Sequence, residues 1–138
     1  MTINTDKTYQ SPQNNKWMPL LATGRLGADY NFIKIYYETA LEKGVSPEKI
    51  ILNSEDLIYL KTLVENTSSR DLGTIIDVLS KRFIDRIDPL IAKEAIEKYL
   101  NTKIDPEVAV NMIARVIAIW CIEAGEMLGY IKLRDYFR

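Results

Sequence analysis

The chain has 138 residues, 47% hydrophobic and 27% charged, with a formal net charge of −1. That is sequence for one globular domain able to bury a core without staples, and its overall charge does not favour a polyanion. The single cysteine, Cys121, excludes an intramolecular disulfide, and the complete lack of histidine excludes His-based triads, the usual proton shuttle near neutral pH and the commonest zinc sites.

Residues 1–16 are rich in Asn, Gln, Thr and Ser, with Ile3 and Tyr9 as their main apolar contributions. Such a segment cannot bury enough apolar surface to offset the roughly 1–2 kcal/mol per residue lost on ordering, so it is expected to be a polar arm that orders only against another chain. It also lacks the apolar run of a secretory leader, which makes a cytoplasmic location the expectation. Trp17, Met18, Leu20 and Leu21 open the helical domain, expected over 17–138. Residues 1–25 carry +2 and residues 129–138 carry +2, leaving −5 on the middle of the chain. Basic ends on an acidic body favour self-association or docking on a protein over coating a nucleic acid.

The stretch GRLGADY at 24–30 has two glycines and Arg25 ahead of a helix, but its spacing fits no phosphate loop and Asp29 would repel an anion, so it reads as a loop. The first helix is expected near 28–43, with Ile33, Tyr37, Ala40 and Leu41 on one face and Gly44 as its stop. Tyr30 shares the core side with Tyr37, whereas Phe32 and Tyr36 are expected elsewhere, as candidates for a partner surface. A short turn at 47–52 follows Ser46-Pro47-Glu48, and Asn53-Ser54 before Glu55-Asp56 caps a helix over 55–65.

A third helix is expected over 70–86, with Leu72, Ile75, Ile76, Leu79 and Phe83 inward and Ile87 extending the row. Lys81, Arg82 and Arg86, late in that helix, are the densest basic group, although cations there also suit the helix macrodipole. Asp88-Pro89 starts a fourth helix over 89–100. Asp85 and Asp88 lie close together but imply no third ligand, so no metal site is assigned.

The fifth helix, near 106–128, begins at Asp105-Pro106-Glu107 and ends at Gly129. Its uninterrupted apolar piece, Val116 to Ile122, is far shorter than the roughly 20 residues of a membrane helix, so a core helix is expected and no membrane role. Val110, Ile113, Val116, Ile117, Trp120, Cys121, Ala124, Met127 and Leu128 form its apolar arc. Ala114, Ala118 and Gly125 edge that arc, while Ile119 and Ile122 sit on the polar side and are candidates for a partner surface. YIKLRDYF at 130–137 is a helical turn or a strand, and Tyr136 and Phe137 look like a docking tail.

FIDRIDPLIAKEAIEKYL resembles small helical subunits of archaeal RNA-guided interference complexes. WMPLLATGRL, leading into the helix that ends EKGVSPEKI, resembles the helical domain of archaeal primase subunits. Each resemblance covers a short part of the chain, and no residue role is carried over from either. The sequence therefore reads as an all-α, compact bundle of about five helices around a long buried helix, with a polar N-terminal arm. The leading function is a non-enzymatic assembly or interaction subunit with a protein partner or a second copy, and with Trp17, Phe32, Tyr36, Ile119, Ile122, Tyr136 and Phe137 as interface candidates. The runner-up is an accessory nucleic-acid-binding subunit using Arg25, Lys81, Arg82 and Arg86. A small enzyme using carboxylate, Lys or Tyr chemistry is the third reading. No catalytic residue, metal or cofactor is assigned.

Overall fold

The computed structural model describes residues 26–68 and 71–136. Among the described residues five α-helices follow one another: α1 (Asn31–Glu42), α2 (Ser54–Asn66), α3 (Leu72–Phe83), α4 (Pro89–Leu100) and α5 (Pro106–Met127). Short 3₁₀ turns occupy Glu48–Ile50, Ile84–Arg86 and Leu133–Tyr136, and no sheet is present among the described residues. Of the C-terminal segment, Leu133–Tyr136 is thus a helical turn.

Local chemistry sets most of the helix boundaries. Asn53 and Asp56 form a reciprocal capping box at α2, the Asn53 side chain accepting from the Asp56 amide at 2.9 Å and the Asp56 carboxylate from the Asn53 amide at 3.0 Å. Asp71 caps α3 by accepting from the Gly73 amide at 3.0 Å. Asp88 caps α4 through the Leu90 and Ile91 amides, next to Pro89 in the first turn. Asp105 holds the cap position of α5 without a side-chain capping bond, so Pro106 and Glu107 make that start.

The helix ends are equally local. Gly44 (φ +73°) and Gly129 (φ +80°) adopt the left-handed conformation after α1 and α5. Each lets the next amide reach back, Val45 to the Ala40 carbonyl and Tyr130 to the Gly125 carbonyl, both at 2.9 Å.

Helix α5 packs against each of the other four helices. It is the axis because its apolar residues cover most of its circumference: Ala109, Ile113, Ala114, Ile117, Ala118, Cys121 and Ile122 are fully enclosed, and Trp120 is 2% exposed. The length and composition of α5 would also let it cross a bilayer, but 67% of its most apolar window is buried inside the protein, as in the core helix of a globular domain. The small-residue edge has a definite occupant. A Cβ on Gly125 would collide with Leu60 Cδ2, so the missing side chain makes room for α2.

Several face assignments change. Tyr36 is buried with Tyr37, because its hydroxyl reaches under α4 to accept from the Asp88 amide at 2.8 Å. Leu41 is more than half exposed, although Thr39 and Ala40 beside it in the last turn of α1 are fully buried. Met127 and Leu128, at the end of the arc of α5, face outward. Asp77 of α3 pairs with Arg115 of α5 at 2.6 Å.

One buried group is unsatisfied. The Thr39 side chain is fully enclosed, and its Oγ1 has no hydrogen-bond partner among the described residues. Replacing an unpaired hydroxyl by a methyl of similar shape removes a desolvation penalty, so Thr39→Val should raise stability by about 1 kcal/mol. Urea unfolding checks this. A midpoint at or below the wild-type value would mean that the hydroxyl is satisfied in solution.

Candidate functional site

The most elaborate polar arrangement lies where the start of α2 meets the end of α3. Asp56 is on the same side of α2 as Leu57 and Leu60, and its side chain has no exposure to solvent. Three groups surround it. Arg86 donates from its two terminal nitrogens to the two carboxylate oxygens, at 2.9 and 2.5 Å. Arg82 donates from Nε at 3.0 Å, and the Asn53 amide completes the shell. Bidentate pairing of this kind is among the stronger ionic contacts in proteins.

Burial by itself would raise the Asp56 pKa. The hydrogen bonds from Arg86, the Asn53 amide and Arg82 outweigh it and hold the carboxyl below the ordinary Asp range. Arg86 moves the opposite way, above its usual value, chiefly through its bond to Asp56. The guanidiniums are also stacked: Arg82 lies over the Tyr59 ring at 4.5 Å and Arg86 over Phe83 at 4.9 Å. From α5, the Cys121 thiol reaches the Asp56 carbonyl at 3.7 Å. Burial, together with the nearby Asp56 charge, pushes that thiol up to about 12, which makes Cys121 an inert core residue.

A second polar cluster fastens α5 to the chain before α1. Glu123 accepts from the Tyr30 hydroxyl at 2.5 Å and from the Leu26 amide at 2.8 Å. Burial and the Glu123 carboxylate both raise the Tyr30 pKa, so the phenol stays protonated. Glu126 does similar work on the other side, accepting from the Leu133 amide at 3.3 Å. The carboxylates that interrupt the apolar run of α5 are thus clasps for the segments flanking the bundle. At the start of α1, Asp29 accepts from the Asn31 amide at 3.0 Å and from the Tyr99 hydroxyl at 2.5 Å. Its negative charge at that helix start disfavours a bound anion.

The interface candidates separate. Ile122 is fully enclosed and Ile119 is half-buried against the core, so the isoleucines on the polar side of α5 are covered by the bundle itself. Phe32 is half-buried and meets Tyr99 edge-on, with centroids 5.5 Å apart. Tyr136 packs half-buried against the core, while Tyr36 is inside it. Trp17, Arg25, Phe137 and the arm at 1–16 lie outside the described residues.

The basic candidates also separate. Lys81 is exposed, Arg86 spends both terminal nitrogens on Asp56, and Arg82 spends only its Nε. Arg82 and Arg86 come together as expected of residues four apart, but around a carboxylate. Asp56 was legible in the sequence only as a capping residue. The further signal was its position beside Leu57 and Leu60, where an inward carboxylate requires a cationic partner.

Among the described residues, no group of three or more Cys, Asp or Glu side chains is arranged to hold a metal ion. Compared with family models, curated proteins and solved structures, the chain matches none.

Proposed function

We propose that this chain is a non-enzymatic helical subunit that works by assembling with a protein partner or further copies of itself in a larger cytoplasmic complex. The observation that carries this reading is the outward apolar end of α5. The most apolar helix of the protein finishes in Met127, 81% exposed, and Leu128, 40% exposed. Methionine is favoured at interface cores because its unbranched side chain adapts to the surface it meets. Elsewhere Leu90 at the start of α4 is 71% exposed.

The charge distribution supports the same reading. Of the basic group proposed for a nucleic acid, Arg86 and the Nε of Arg82 serve Asp56, which removes charge that a phosphate backbone would need.

Analytical ultracentrifugation at moderate salt, with and without a nucleic acid, tests the proposal. The expected result is a mass above that of one chain, unchanged by the nucleic acid. Deletion of residues 1–16 should lower that mass while leaving thermal stability nearly intact. A chain that stays monomeric alone, and shifts only when nucleic acid is added, would transfer the function to the reading based on Arg25, Lys81, Arg82 and Arg86.

A further inference from the structure

Arg82 differs from Arg86 in what it leaves unused. Its Nε is bonded to Asp56 and its plane is stacked on Tyr59, so the guanidinium is fixed from two directions. Its two terminal nitrogens have no partner among the described residues, and 28% of its side chain is exposed. A planar fork already immobilised loses little further freedom when it binds, which is the condition for tight recognition of an oxyanion.

The chemistry of the surroundings narrows the ligand. Asp56 with Arg82 and Arg86 leaves one positive charge in excess, enough for one anionic group. Asp85, exposed and three residues from Arg82, opposes an extended row of phosphates. The edge beside the guanidinium is aromatic: Tyr59, over which Arg82 lies, is 37% exposed. On these grounds we infer that Arg82 and Tyr59 form a carboxylate-binding spot for an acidic residue flanked by apolar ones on a protein partner. The inference rests on the assembly reading above and names the chemistry of one contact.

The probe is a short blocked peptide with one glutamate between two leucines, titrated into the isotopically labelled full chain while the arginine Nε–H resonances are followed. A saturable shift at Arg82 is expected. Hydrogen bonds to a charged group are worth enough that the matching glutamine peptide should bind about tenfold more weakly. Arg82→Lys keeps the charge beside Asp56 but loses the fork and should weaken binding similarly. The glutamine peptide supplies the same contrast without any substitution. No saturable shift at Arg82, or equal shifts with both peptides, overturns the site. Displacement of the peptide by a single-stranded oligonucleotide with a steep salt dependence also overturns it, in favour of phosphate. A wild-type chain that remains monomeric in the mass measurement bears on the assembly reading instead, so the two failures are distinguishable.

Discussion

Asp56→Ala should lower the stability of this protein by about 3–4 kcal/mol, the largest single-site electrostatic effect expected in it. Removing one partner of a buried ion pair costs about 3–5 kcal/mol because the other charge is stranded. Here two guanidiniums are stranded and repel each other. Both retain some access to water, 28% for Arg82 and 20% for Arg86, which brings the estimate toward the low end of that range. The Asn53 amide also loses its acceptor, while the Asn53 side chain still caps α2 through the residue-56 amide.

The control is to remove the whole constellation. Asp56→Leu combined with Arg82→Met and Arg86→Met should cost less than Asp56→Ala alone, since no charge is then left without its counterion. Urea unfolding of the two variants decides it. A triple variant as unstable as the single one, or more so, would mean that the penalty is lost packing and not stranded charge.

The same residue sets a pH dependence. The folded-state pKa of Asp56 lies below that of the unfolded chain, so the carboxylate contributes stability that is fully present above the unfolded value of about 3.9 and is lost as pH falls through the lower folded value. Wild-type stability should therefore drop below about pH 4 more steeply than that of Asp56→Asn, which has no proton to take up at this site. Parallel acid-unfolding curves for the two proteins would show that Asp56 is not the group responsible.

Trp120→Ala should cost about 3–5 kcal/mol, the usual range for emptying a large aromatic site that its surroundings cannot collapse to fill. Trp120 is 2% exposed on the helix that all the others touch, in the same buried cluster as Ile113, Ile117 and Ala124. A void there withdraws contacts from several helices at once. The measurement is the urea midpoint at unchanged slope. In a Trp17→Phe background the remaining Trp120 fluorescence should also be strongly blue-shifted in the native state, because no other tryptophan is left. Water-exposed emission from Trp120 in the native protein would remove α5 from the centre of the core.

The number, order and approximate boundaries of the helices were determined by the sequence alone, and the reason is local. Capping side chains such as Asn53 and Asp88, prolines in the first turn, glycines at the ends and apolar spacing near 3.6 all act within a few residues of their own backbone. The all-α class and the central place of α5 followed from the same signals. Which sides were covered was decided only by the tertiary structure. Periodicity turned Met127 toward the core, but it is exposed at the end of α5; it set Tyr36 apart from the core side, but its hydroxyl accepts from the Asp88 amide at the start of α4. The polar site shows the same division. A list of basic residues placed Arg82 and Arg86 together as a group suited to an external anion. Only the packing of α2 against the end of α3 brought Asp56, 26 and 30 residues away in sequence, between them. An ion pair across such a separation depends on how two helices meet, and no pattern local to either helix encodes that.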